Sequence, residues 1–325
     1  MTLPARTFVG ADESTMRAMN PEYLHELGIY RSDEEFKQLI CPFALGGLES
    51  REPVVFAYDA HKVGLLHEWL PEEAGISYVT DASPYASPAK ALAAWRAVVE
   101  DHLSAGASRV RIAGNVPHPG YGHPYAGWDR YEAAVDHALA DLPVWAPCLY
   151  DARIAPDHVL ESAKRLHHHV LERDGTHHVN PSFDPPGRLE DFLAPPPDDL
   201  QTTRPMRELV DPTPCEARAA VAQALEGLDR HDVDALVLAA SEAVANARRY
   251  GVPPVQVRIW RGQGRGVVEV HDRGSGPADP LAGLLSTGEV ESGRGLWLAH
   301  HLDIEVSLAA DDLGFAVRLR AGHRA

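Results

Sequence analysis

Glu242 and Asn246 stand four residues apart in SEAVANARRYG, Ser241 to Gly251. On a helix that spacing puts a carboxylate and a carboxamide side by side. An amide oxygen suits a hard cation such as Mg²⁺, and a carboxylate can orient or deprotonate an attacking hydroxyl. A second cluster, DRGSG, runs from Asp272 to Gly276. Its carboxylate, at a strand end, suits an exocyclic amine such as adenine N6, and Gly274 and Gly276 let the backbone turn close to a flat base. A third, GRGLW, runs from Gly293 to Trp297. Gly293 and Gly295 directly precede a helix, so free N–H groups and the positive end of the dipole face a phosphate there, and Arg294 adds a charge-assisted contact. Singly, each cluster is more common in solvated helix faces and turns than in sites. In this order, with a lid-length gap between the second and third, they describe one Mg-ATP pocket.

The elements that must position these residues follow from the pattern around them. CEARAAVAQALEGL, from Cys215, is an Ala-rich helix. A second helix, His231 to Tyr250, has Asp232 or Asp234 as its cap, Gly251 as its stop, and Leu236, Val237, Ala240, Ala243, Val244 and Ala247 on one arc. VQVRIW and GVVEVHD are strands around the turn RGQGRG. A long loop, the helix GLWLAHHL and the closing hairpin IEVSL/FAVRLR complete an α+β sandwich, with one mainly antiparallel sheet and helices on one face.

On these residues Cys215 to Arg320 resembles the GHKL (Bergerat-fold) ATPase domain. Glu242 and Asn246 match its N-box, Asp272 to Gly276 its first glycine box, and Gly293, Arg294, Gly295 and Leu296 its second. Within that superfamily the domain most resembles the anti-sigma-factor serine kinases. The resemblance implies ATP and Mg²⁺ as cofactors, Glu242 as the base for a partner serine, Asn246 as the Mg²⁺ ligand and Asp272 as the adenine contact. It also implies a sigma factor and a STAS-domain anti-anti-sigma protein as partners, and a homodimer. Arg248-Arg249-Tyr250 departs from the small or His residue often found after the Asn, which bears on partner contacts. The alternative is a non-catalytic ATP-binding module that regulates a sigma factor by sequestration. A histidine kinase would need a dimeric helical hairpin just upstream, where this chain is Pro-rich.

Upstream, four short apolar runs, PVVFAYD, ISYVTD, RVRIAGN and PVWAPCLYD, alternate with helices over Asp33 to Leu48, Pro88 to Leu103, Gly127 to Leu139 and Pro156 to Val170. Ser32 and Glu35 form a capping box for the first. This is an α/β domain with a mostly parallel sheet. The segments Tyr30-Arg31-Ser32-Asp33-Glu34-Glu35-Phe36, PFALGGLESREPVVFAY, AGNVPHPGYGHPYAGWDRYEAAVDHAL and CLYDAR resemble the MEDS sensory domain. That implies a RecA/KaiC-like sheet and a small-molecule ligand of unknown identity. GGLESREP sits where such a fold carries a phosphate loop but lacks the G-K-[ST] ending, so no nucleotide hydrolysis is expected there. The loop Asn115 to Trp128, with His118, Tyr121, His123, Tyr125 and Trp128, followed by Asp129, Tyr131 and Glu132, reads either as a Pro/Gly-rich surface loop whose aromatics pack on the sheet or as the wall of a ligand pocket at the end of a strand.

The resulting division is a leader over 1–24, a sensory domain over 25–179, an extended linker over 180–214 that holds nine of the 26 prolines and in which TTRPMREL could add an edge strand to the second domain, and an ATP-binding domain over 215–325. A net charge of −17 argues against direct nucleic-acid or anionic-membrane binding. No apolar run spans a bilayer and no signal peptide is evident, so the expected location is the cytoplasm. Three widely spaced cysteines, Cys41, Cys148 and Cys215, fit reduced thiols. His167-His168-His169 and His177-His178 suggest a metal, but neighbouring histidines on a helix do not face one another, and no Cys or carboxylate lies nearby at ligand spacing. A solvated helix end is the expectation.

Overall fold

A computed structural model describes residues 20, 22–72, 75–79, 85, 87–184, 187–193, 195–262, 264–285, 294–302 and 304–322. The chain divides into two compact units, one formed by residues up to 185 except 87–90, the other by residues from 186 onward together with 87–90.

The first unit is built on β1 (Leu24–Tyr30), α1 (Asp33–Ser50), β2 (Val54–Ala57), α2 (Ala60–Trp69), β3 (Ile76–Tyr78), α3 (Pro88–Ser104), β4 (Val110–Gly114), α4 (Trp128–Leu139), β5 (Val144–Asp151), α5 (Asp157–Leu166), β6 (His169–Leu171) and β7 (His177–Val179). Its sheet runs β3-β2-β4-β5-β1-β6-β7, parallel except for the β6–β7 pair. The mostly parallel α/β architecture is as expected. Ser32 caps α1, its Oγ accepting from Glu35 N at 3.1 Å.

Four differences stand out. β1 was not read as a strand because LHELGIY carries His25 and Glu26; both are buried, Glu26 accepting from Trp145 Nε1 at 2.6 Å and pairing with His177 Nδ1 at 2.8 Å. α2 was not read as a helix either; Asp59 caps it, accepting from His61 N and Lys62 N. GGLESREP is no strand-to-helix loop, since Gly46 to Ser50 form the last turns of α1. Finally, α5 stops at Leu166, so the His run leaves the helix and enters β6.

The second unit consists of β8 (Arg207–Val210), α6 (Pro214–Ala224), α7 (Arg230–Tyr250), β9 (Gln256–Gly262), β10 (Arg265–Asp272), α8 (Arg294–His301), β11 (Glu305–Asp311) and β12 (Gly314–Gly322). The sheet runs β11-β12-β10-β9-β8, antiparallel throughout. Leu236, Ala240, Ala243, Val244 and Ala247 of α7 pack with Val257, Ile259, Val268, Val270 and Leu319 of the sheet. Each such aliphatic side chain of Val or Leu size contributes about 1.5–3 kcal/mol on burial. The α7 cap is Asp229, accepting from His231 N and Asp232 N, in place of Asp232 or Asp234. A carboxylate earlier in the chain reaches the first free N–H groups, and α7 starts one residue sooner than expected.

The stretch read as an extended linker is largely packed. Leu189 and Phe192 are buried, β8 adds an edge strand to β9, and Trp260 Nε1 donates to Thr203 O at 3.0 Å. On the sheet face away from the helices, Arg265, 2% exposed, pairs with Asp198 at 3.1 Å and with Asp199. Arg318 bonds both Glu269 and Pro195 O there. Buried charge on that face needs partners, and the proline-rich segment supplies them. Among the described residues, no helix is long and apolar enough to cross a membrane.

Candidate functional site

In the second unit the glycine that follows Arg294 in α8 meets α7 near its middle, at Glu242, while the carboxylate that ends β10 meets the turn just past the C-terminal end of α7, at Val252. Glu242 and Asn246 are half-buried on the helix, one turn apart, beside the buried arc that faces the sheet. Gly295, in the first turn of α8, lies against Glu242. A Cβ added there would meet Glu242 Oε2 at 2.5 Å, so only glycine permits this approach. Leu296, the next residue, is partly buried and packs on the core beneath. Gly293 lies outside the described residues, and Arg294 is placed only as the first residue of α8.

Asp272 ends β10 and is buried. Its Oδ1 accepts from Val252 N at 3.0 Å and from Gly274 N at 2.6 Å. One carboxylate oxygen thus locks the turn after α7 to the turn after β10, and Oδ2 stays available as an acceptor. Gly276 turns the chain with φ +78° directly over the Phe315 ring. Of the predicted residues, Glu242 and Gly295 are brought into contact, and Asp272 and Gly274 are joined by a hydrogen bond. Asn246 shares the helix face of Glu242. Arg249 points instead to the exposed end of α7, over the Tyr250 ring. A buried acceptor, a carboxamide beside a carboxylate, and glycine backbone against that carboxylate form a donor set that fits a nucleotide and its Mg²⁺.

Sequence comparison agrees with this geometry. Residues 24–168 match the family described as MEDS, the methanogen/methylotroph DcmR sensory domain. Residues 212–321 match the histidine kinase-like ATPase domain. The chain joins these two domains. No curated protein matches it at a significant level. The pair describes a signalling regulator, with a sensory unit and a unit of an ATP-binding class that usually works with Mg²⁺.

The MEDS unit holds a cavity of about 370 Å³ at the C-terminal ends of β1, β2 and β5, lined by Tyr30, Asp33, Asp59, Lys62, Tyr121, Asp151 and Arg153 among others. Such a position is the usual ligand site of an open parallel sheet. Lys62 is buried, and its Nζ donates to Asn115 Oδ1 at 2.6 Å and to Tyr121 Oη at 2.5 Å. The rings of Tyr30, Phe36, Tyr58 and Tyr121 surround it at 4.9–5.6 Å. Burial pushes the Lys62 ammonium down to about 8, against the pull of Asp59 and Asp151. His118 is pushed down to about 4 by burial and by Lys62, and its Nδ1 accepts from Gly120 N. The buried Tyr30 hydroxyl lies beside that of Tyr121 on the cavity wall.

The expected aromatic loop therefore reaches the cavity mainly through Tyr121, with Asn115 behind Lys62. His118 is buried behind the Tyr121 ring and His123 is exposed, while Tyr125, Trp128, Asp129, Tyr131 and Glu132 are buried and do not line the cavity. Sequence reasoning missed Tyr30, Asp59, Lys62 and Arg153. The available signal was a polar or aromatic residue at or just past the end of each of three parallel strands, Tyr30 ending β1, Asp59 after β2 and Asp151 ending β5.

Proposed function

We propose that the chain is a cytoplasmic regulator in which a small-molecule-sensing unit controls an anti-sigma-factor serine kinase acting on a STAS-domain partner. The observation that carries the kinase reading is the close approach of Gly295 to Glu242, one helical turn before Asn246 on α7, with Asp272 tied to the turn that follows the helix. Glu242 takes the proton of a partner's serine hydroxyl as that oxygen bonds the terminal phosphorus of ATP and the bond to the ADP oxygen breaks. Asn246 would hold Mg²⁺ through its amide oxygen, and the ion, when bound, offsets phosphate charge. Asp272 Oδ2 receives the adenine amine, and the backbone of Gly293 to Gly295 with Arg294 receives the phosphates. The segment before α6 supports serine rather than histidine chemistry. Where a histidine kinase carries long paired helices, residues 187–210 form short turns and an edge strand.

The cavity around Lys62 is the sensory site in this reading. Its cation, phenols and carboxylates suit a small polar molecule. A sigma factor and a second copy of the chain are the remaining partners it implies. The RecA/KaiC-like reading of the first unit rests on its parallel sheet, in which β4 and β5 lie between β1 and β2.

One observation favours a second reading. Glu242 is pressed against the backbone of α8, a position that also suits a conformational switch in which bound ATP sets α8 without turnover. Incubating the full chain with ATP, Mg²⁺ and candidate STAS proteins decides between them. Phosphoserine on one candidate, lost in Glu242→Ala, supports the kinase. ATP binding without phosphotransfer to any candidate removes it.

A further inference from the structure

Four side chains far apart in sequence meet inside the first unit. His25 of β1, Glu132 of α4, Cys148 of β5 and His167, just past α5, each offer one ligand atom, and these atoms lie within 4.8 Å of one another. Cys148 Sγ is 3.3 Å from His25 Nε2 and 3.4 Å from Glu132 Oε2. Glu132 Oε2 is 3.4 Å from both His25 Nε2 and His167 Nε2. A tetrahedral zinc ion, with bonds of about 2.0–2.1 Å to nitrogen and about 2.3 Å to sulfur, sets its ligand atoms roughly 3.3–3.8 Å apart.

The outer contacts are those of ligands held in place. His25 Nδ1 is 3.1 Å from Asp136 Oδ1, which in turn accepts from Tyr23 Oη at 2.7 Å. His167 Nδ1 is 2.8 Å from Ala163 O. Glu132 Oε1 accepts from Tyr150 Oη at 2.5 Å. Both imidazoles therefore spend Nδ1 on an orienting acceptor and turn Nε2 inward, as metal-bound histidines do. Glu132 likewise turns Oε2 inward.

Hydrogen bonding alone leaves the cluster incomplete. His167 is fully buried, and its Nε2 faces Glu132 Oε2 at 3.4 Å, a long contact for a nitrogen cut off from solvent. The His25 and His167 rings also sit only 4.4 Å apart. A cation at the focus of the four inward atoms removes both problems.

The geometry points to a buried site for a zinc-type divalent metal ion, with His25, Glu132, Cys148 and His167 as its ligands. The mixture of thiolate, imidazole and carboxylate suits a borderline-soft cation rather than Mg²⁺ or Ca²⁺. The ion ties β1, α4, β5 and the end of α5 together. A void of about 30 Å³, lined partly by His25 and Cys148, adjoins it and has room for one water-sized molecule.

The test uses the full chain stripped with a chelator, with Cys41 and Cys215 changed to Ser so that Cys148 is the sole thiol. Zn²⁺ and Co²⁺ are titrated in, and the fold is checked by circular dichroism. The expected result is one ion per chain, tetrahedral Co²⁺ ligand-field bands and a thiolate-to-cobalt charge-transfer band. Cys148→Ser removes that band, and Asp136→Asn weakens binding about 10–100-fold. If Cys148→Ser fails to fold, the band in the parent protein decides alone, since no other thiol remains. A folded protein that takes up no ion near one per chain would overturn the proposal, leaving a hydrogen-bonded cluster only. So would uptake that survives His167→Gln but is lost with His178→Ala, an exposed surface site.

Discussion

The Glu242 carboxylate lies against the backbone of Gly295, so close that a methyl group on Gly295 would sit 2.5 Å from Oε2. The helix bearing the carboxylate–carboxamide pair and the glycine turn that opens α8 thus share one surface. Gly295→Ala forces either Glu242 or the first turn of α8 to move. We expect ATP affinity to fall at least about tenfold, equivalent to about 1.4 kcal/mol, with the melting temperature nearly unchanged. Isothermal titration and thermal unfolding on one preparation check this, and unchanged affinity would refute it.

Asp272→Asn separates fold from recognition. The Asn Oδ1 keeps the hydrogen bonds from Val252 N and Gly274 N, while Nδ2 replaces the remaining acceptor. Two donors then face each other at an adenine amine. Loss of a hydrogen bond to a charged group, about 1.5–3 kcal/mol, predicts ATP binding weakened about 10–100-fold. A nucleotide with a carbonyl in place of that amine, such as ITP, should lose far less. Equal losses for both nucleotides would argue against an adenine contact.

Lys62 gives a pH signature. Its folded pKa is about 8 against an ordinary 10.5, so the folded state gives up the proton before the unfolded chain does. Below pH 8 both states are charged and the burial penalty is carried in full. From pH 8 upward the unfolded chain binds more protons, and stability rises with pH. Full relief is on the order of 3 kcal/mol. Buried tyrosines pull the other way above pH 10, so the comparison belongs between pH 8 and 9.5. There, chemical denaturation should show wild type gaining on Lys62→Met as pH increases. A constant difference between the two would contradict the assignment.

Asp198→Ala leaves the Arg265 guanidinium buried with only exposed Asp199 as its acidic partner among the pairs described. Breaking a buried pair costs about 3–5 kcal/mol, and the surviving partner places this case near the lower figure. Urea denaturation of the full chain should show the loss. Replacing Arg265 by Met together with Asp198→Ala should recover much of it, because the buried charge is then gone.

The sequence was most informative where chemistry followed one element. The buried arc of α7, the Glu242–Asn246 pair and the strand ending at Asp272 were legible because helical and strand periods place them without reference to the rest of the chain. The ATPase sheet followed from order alone. The Lys62 cavity was less legible, because its walls come from the ends of separate strands and only the parallel sheet gathers them. The cluster of His25, Glu132, Cys148 and His167 was invisible, since no local spacing links four residues on different elements. The reading of His167 as solvated failed for a local reason: α5 ends at Leu166, and the chain turns inward at the next residue.

The proline-rich segment that crosses the outer face of the second sheet sets a practical limit. A fragment cut at Cys215 would lose β8 from the edge of β9, uncap Trp260 and strip both acidic partners from Arg265. It would present a raw sheet edge and a buried cation stripped of these two carboxylates to its neighbours, both invitations to self-association. The shortest soluble ATPase fragment should therefore begin near residue 187.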